Sequence, residues 1–219
     1  QIGEVDETWQ QVWGEKQFIR NNYKELKLYL QEKSKLKRLM KVVFRVYNDG
    51  VGFRYEIPKQ PKLAFVTIID EKTEFKFTDN HFAWWIPAYK DNRYEYLYKK
   101  DPINKLSVVH TPLTLETKDG LYLSLHEANL TNYSSMTLKK TAKNTLECDL
   151  VPWEDDLKVK ISTPFKTPWR TLQIGRTPGA LITSYLILNL NPPCKIKDTS
   201  WIKPAKYIGI WWGMHINKY

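Results

Sequence analysis

Along most of the chain apolar and polar residues alternate, the period of a strand with one face buried and one wet. Leu26-Lys-Leu-Tyr-Leu30 alternates, and residues 41–47 read as a strand that Asn48-Asp-Gly50 turns back into residues 51–57. A short Gly-containing loop between two such runs predicts a β-hairpin. Pro58 closes it, because proline has no N–H to give to a ladder. Further strands are predicted over 63–69, 73–77, 82–86, 94–98, 120–126, 136–139, 146–151, 157–162, 170–174 and 181–188. Turn residues separate them at intervals of about 8–12, the spacing of an all-β sandwich or barrel. One helix is predicted near residues 9–23, on a weak period.

One stretch breaks the alternation. Tyr207-Ile-Gly-Ile-Trp-Trp-Gly-Met-His215 is nearly continuous in its apolar character. Such a run suits a parallel strand covered on both faces. Before it, residues 191–204 carry three prolines and little alternation. The expected organisation is an all-β antiparallel domain over 1–190 and a linker over 191–206. Residues 207–219 would then open a second domain whose remainder the chain does not include. There is no internal repeat and no low-complexity tract.

Composition adds bounds. A chain of 219 residues can bury one sizeable core. The net charge of +10 raises the question of nucleic acid. However, Lys33, Lys35 and Lys37 alternate, as do Lys158 and Lys160, which is the spacing of a solvated strand face. No basic-aromatic word of a nucleic-acid module is present. Two cysteines, Cys148 and Cys194, stand far apart, which argues against a disulfide framework or a Cys-type zinc site. Cys148, inside an alternating run, reads as a small core residue. No stretch has the roughly 18 apolar residues of a membrane-spanning helix. No signal peptide stands at Gln1, as expected of a mature or truncated chain. Two sequons, at Asn129 and Asn132, matter only in a secreted eukaryotic protein.

Candidate chemistry is sparse. No phosphate loop, zinc helix or serine elbow is present. The histidines at 81, 110, 126 and 215 are too dispersed for a local metal site. The densest polar group is Leu125-His-Glu-Ala-Asn129, directly after an apolar strand. Successive strand residues face opposite sides, so His126 and Glu127 share a site only if the strand has ended there. On spacing alone Glu127 is a surface carboxylate or one oxygen donor of a calcium or sugar site. Aromatic residues cluster as Trp84-Trp85 and Trp211-Trp212, with single residues at Trp153, Trp169 and Trp201. They serve either as packing or as platforms for sugar rings. His215 follows the last apolar run, and would lie on the active-site face if that run opens a (β/α)8 barrel.

Several words then resemble glycoside hydrolase family 97. They are Arg45-Val-Tyr-Asn-Asp-Gly-Val-Gly-Phe-Arg-Tyr-Glu56, Phe82-Ala-Trp-Trp-Ile-Pro-Ala-Tyr89 and Thr111-Pro-Leu-Thr114. Leu123-Ser-Leu-His-Glu-Ala-Asn-Leu130, Ser162-Thr-Pro-Phe-Lys-Thr-Pro-Trp-Arg-Thr171, Asp198-Thr-Ser-Trp-Ile-Lys-Pro204 and Gly209-Ile-Trp-Trp-Gly-Met-His215 follow in order. The resemblance covers about residues 4–219. It implies an N-terminal β-super-sandwich, galactose-mutarotase-like, ahead of a catalytic (β/α)8 barrel in an exported bacterial enzyme, largely of Bacteroidetes. It implies removal of terminal α-linked galactose or glucose and a Ca²⁺ ion in the active site. It assigns Glu127 as a metal ligand contributed by the sandwich, with His126, Trp212 and His215 toward the sugar. The family's opening strands would precede Gln1, and its catalytic carboxylates would lie beyond Tyr219.

The ending resembles the retaining α-galactosidase-like members more than the inverting α-glucosidases. Retention uses two carboxyls close together, inversion a wider pair with water between. The expected function is the non-catalytic N-terminal domain of such a hydrolase, inactive alone. The alternative of another class is a free-standing carbohydrate-binding module, which would have no use for an exposed Ile-Trp-Trp edge.

Overall fold

The computed structural model describes residues 1–206 apart from Arg93. The expected strand at 207–215, and with it Trp212 and His215, lies outside the described residues. The strands are β1 (Ile2–Gln10), β2 (Phe18–Gln31), β3 (Leu39–Tyr47), β4 (Gly50–Ile57), β5 (Phe65–Ile68), β6 (Glu74–Lys76), β7 (Phe82–Trp85) and β8 (Lys99–Pro102). They continue as β9 (Val108–Val109), β10 (Leu113–Glu116), β11 (Tyr122–Ala128), β12 (Met136–Ala142), β13 (Thr145–Leu150), β14 (Val159–Ser162), β15 (Phe165–Lys166) and β16 (Trp169–Gly175). Two short helices follow, α1 (Pro178–Ile182) and α2 (Leu186–Leu190).

One large sheet runs β1-β2-β3-β4-β16-β11-β10-β7-β8, with β15 also pairing β4. A four-stranded sheet, β6-β13-β12-β9, and a two-stranded one, β14-β5, complete the strands. All these pairings are antiparallel. The large and four-stranded sheets face each other across one apolar cluster. Leu113, Leu115 and Leu125 of the first meet Leu138, Leu146 and Leu150 of the second, all fully buried. This is the all-β antiparallel sandwich that the alternation predicts. Cys148 is part of that core, as expected, and Cys194 is exposed.

The β3–β4 hairpin forms as the sequence requires. Tyr47 pairs with Gly50, leaving Asn48 and Asp49 as a two-residue loop. Gly50 has φ +151°, and a Cβ there would lie 2.2 Å from the Leu172 carbonyl oxygen. Two residues along the same strand, Gly52 leaves the gap into which Leu190 of α2 inserts.

Four expectations are corrected. Residues 9–23 are not a helix: they are the end of β1, a loop and the start of β2, with Trp9 paired to Ile19. Their apolar residues serve two strands, and this mimics a weak helical period. Residues 181–188 are not a strand. Thr177 caps α1 with its side chain, and Pro178 occupies the first turn, where its missing N–H costs nothing. Residues 94–98 form an irregular segment, and the strand begins at Lys99. Lys33, Lys35 and Lys37 are exposed, but in the loop between β2 and β3 and not on a strand.

Candidate functional site

The Leu-His-Glu-Ala word lies inside β11, which runs on to Ala128. The expectation of a free strand end at Glu127 is therefore corrected. The chain turns only at Asn129, which takes φ 55°. Cross-strand partners are Leu125 with Leu172, His126 with Thr171, and Glu127 with Arg170. Alternation sends Leu123, Leu125 and Glu127 into the sandwich, and Arg170 and Leu172 with them. His126 faces the other side, together with Thr171, Ala128 and Trp169.

On the inner side a charge network closes on itself. Arg170 is fully buried. Its Nε and Nη2 donate to Oε1 and Oε2 of Glu71 at 2.8 and 2.7 Å. Its Nη1 donates to Glu127 Oε2 at 2.7 Å. The other Glu127 oxygen accepts the backbone N–H of Met136, the first residue of β12, at 3.0 Å. Glu71, on the segment between β5 and β6, also accepts from Thr73 Oγ1 at 2.9 Å and Tyr133 OH at 3.1 Å. Tyr55 OH of β4 reaches Thr73 Oγ1 at 2.9 Å. The bidentate fork matches the planar guanidinium to a carboxylate, the strong form of such a pair.

The electrostatics follow from this closure. Burial alone would lower the Arg170 pKa, but the bonds and charge of Glu71 outweigh it and raise it. Burial would raise Glu71, yet Arg170 holds it below its ordinary value. Burial and the Glu71 charge push the Tyr133 phenol up. Burial likewise raises the Cys148 thiol.

On the outer side Trp169 is fully buried and carries Arg54 at 4.2 Å and Arg45 at 5.0 Å from its ring. Leu186 and Leu190 of α2 pack against Trp169, Ala128, Tyr23 and Tyr47. His126 is partly buried on this side, and burial holds its pKa below the ordinary imidazole value, with Glu127 opposing. His126 Nδ1, Trp169 Nε1 and Thr171 Oγ1 make no hydrogen bond within the described residues. Of the other tryptophans, Trp85 is buried, while Trp84, Trp153 and Trp201 are exposed. The 191–206 segment is fastened at both ends. Asn191 Oδ1 accepts from the Asn129 N–H at 3.0 Å, and the Ile202 carbonyl accepts from Trp13 Nε1 at 2.5 Å.

The calcium that the resemblance implies does not fit Glu127 in this arrangement. Each carboxylate oxygen already accepts a hydrogen bond, one of them from a guanidinium that has no other partner for that nitrogen among the described residues. Calcium takes six to eight oxygen donors, usually from several segments. No group of three or more His, Cys, Asp or Glu converges among the described residues. Sequence reasoning singled out Glu127 but not its position inside the sandwich, and it missed Glu71 and Arg170. A signal for Arg170 exists, since it shares strand phase with Leu172 in β16. A charge on the apolar phase of a strand needs a buried partner.

Comparison with known proteins places the domain. The family model for the glycosyl-hydrolase 97 N-terminal region matches residues 1–193. A glycoside hydrolase family 97 enzyme from Pseudoalteromonas sp. strain K8, solved in complex with acarbose, superposes with a TM-score of 0.92. It is 44% identical, over 99% of this chain and 33% of its own. A retaining alpha-galactosidase from Bacteroides thetaiotaomicron is 28% identical over 89% of this chain and 33% of its own length. A probable retaining alpha-galactosidase from Streptomyces bingchenggensis is 28% identical over 78% of this chain and 26% of its own. A beta-arabinopyranosidase structure shares the fold at a TM-score of 0.69 and 20% identity. The chain thus spans about one third of the length of the first of these relatives. No helix among the described residues is long and apolar enough to cross a membrane. With a match over most of its length, an antiparallel sandwich and the expected sequence words, this chain belongs to glycoside hydrolase family 97 as its N-terminal domain.

Proposed function

We propose that this domain is the non-catalytic N-terminal part of an exported bacterial exo-acting α-glycosidase. In this reading the catalytic carboxylates come from a barrel outside this chain, and Trp212 and His215 approach the sugar from the start of that barrel. His126, turned toward the outer side of β11, supports that face and does not meet the substrate. Calcium belongs to the whole enzyme, with donors other than Glu127. The observation that carries the reading is the family match over residues 1–193.

For the sugar, the 44% identity over 99% of the chain favours α-linked glucosides. The Pseudoalteromonas enzyme was solved with acarbose and, as a variant, with panose. The second reading is retaining α-galactoside hydrolysis, which the sequence words favour and which the two 28%-identical relatives carry in their names. The polypeptide extended through its barrel should be assayed on 4-nitrophenyl α-glucoside and α-galactoside, with the first-released anomer followed by proton NMR. Turnover of the glucoside with β-glucose released first supports the first reading. Turnover of the galactoside with α-galactose released first replaces it by the second. Turnover of neither removes both.

A further inference from the structure

We infer that Glu127 is the fixed counter-ion of Arg170, in an internal clasp that joins the two sides of the sandwich, and that it is not offered to a cation. Arg170 and Glu127 belong to adjacent strands of the large sheet. Glu71 leads into β6, and Met136 opens β12, both of the four-stranded sheet. One guanidinium therefore grips a carboxylate from each side, and Glu127 in turn grips the backbone of the opposite sheet. Thr73, Tyr133 and the Met136 N–H compensate the second negative charge, so every oxygen of both carboxylates has a donor.

Delivering Glu127 to a metal would undo this at two points. Arg170 Nη1 would lose its acceptor in a fully buried position. The Met136 N–H would be left without a partner in the interior. Each orphaned donor carries its full desolvation cost, and a buried charge that loses a partner costs several-fold more than the pair contributes when intact. Calcium joining without displacement would have to share an oxygen that a cation already holds. An ion at about 2.4 Å from Oε2 would be a second cation on an oxygen that already has a guanidinium nitrogen at 2.7 Å. The like charges would repel in a largely buried position, where screening is weaker than in water.

The experiment uses the full-length enzyme that contains this domain. Amide hydrogen exchange at Met136 reads the Glu127 bond directly, in the unmutated protein. Adding saturating calcium should leave its protection unchanged. A loss of protection of about tenfold would show Glu127 leaving the clasp and would overturn the inference. Calcium titration of Glu127→Gln gives an independent check. Its affinity should match the parent while its thermal midpoint falls. An affinity weakened by about tenfold or more with an unchanged midpoint would restore the ligand role. If Glu127→Gln does not fold, the Met136 exchange in the parent decides alone. These readouts involve no sugar, so they stand or fall separately from the choice of substrate.

Discussion

The two ends of the β11–β16 pair solve the same problem by opposite means. At one end Leu123, Leu125 and Leu172 join an apolar cluster with Leu138 and Leu146 of the facing sheet. At the other, two residue pairs further on, Glu127 and Arg170 meet Glu71 and Met136 across the same interior. The apolar end is held by area removed from water and by dispersion, neither of which depends on direction. The ionic end is held by directed bonds, each of which must be made once the charges are buried. The first tolerates small shifts of one sheet over the other. The second fixes their register, because a shift of one residue would turn Glu127 or Arg170 to the opposite face.

That contrast predicts how each end breaks. Arg170→Met should have the largest effect, a loss of about 3–5 kcal/mol, because Glu71 and Glu127 would remain buried without their cation. Urea unfolding measures it. Leu125→Ala should cost somewhat less, about 3 kcal/mol, from the lost methyl groups and the cavity behind them. A further variant sharpens the distinction. Arg170→Met combined with Glu71→Gln and Glu127→Gln should recover much of the loss, since no charge is then left unpaired. If the triple variant is as unstable as Arg170→Met alone, the uncompensated carboxylates are not the cause.

The ionic end should also respond to acid, and the apolar end should not. Glu71 is held below its ordinary value of 4.5, with Arg170 outweighing burial. A depressed carboxylate contributes stability that is complete above the unfolded value and is lost as pH falls through the folded one. Stability of the parent should therefore decline below about pH 4.5. In Glu71→Gln the same decline should be shallower, starting from a lower plateau. Parallel pH profiles for parent and variant would show that Glu71 does not carry the acid sensitivity.

Much of the fold is legible in the sequence because half-buried strands write their geometry directly. The hairpin at Asn48-Asp49, the inward phase of Leu123 and Leu125 and the core role of Cys148 all follow from period two and turn chemistry. The misplaced elements were those where period two is shared or interrupted. Trp9 and Ile19 are cross-strand neighbours, so a linear reading merges two strands into one weak helix. For residues 181–188 the apolar run outweighed the Thr177-Pro178 start signal. The clasp was out of reach for a different reason. Arg170 lies 43 residues from Glu127 and 99 from Glu71, and only the closed sandwich brings them together. The phase of Glu127 with Leu123 and Leu125 is readable, and it points into the sandwich. The family resemblance gave the domain and its fold, but a short word such as His-Glu-Ala fixes no side chain's partner.

The smallest expected effect tests how far the clasp depends on its outer donors. Tyr133 OH gives Glu71 Oε2 one hydrogen bond at 3.1 Å, while Arg170 Nη2 reaches the same oxygen at 2.7 Å. Tyr133→Phe removes the weaker of the two and keeps the ring, whose face lies 5.8 Å from the Arg170 guanidinium. The oxygen retains its charged partner, so the cost should be that of one hydrogen bond to a charged group, about 1.5 kcal/mol. Equilibrium unfolding resolves a change of that size. In the Arg170→Met background the same substitution should cost more, because Tyr133 would then be the principal donor left to that Glu71 oxygen. The double-mutant cycle reports this coupling. If the two substitutions add without interaction, Tyr133 packs beside the clasp but takes no part in compensating its charge.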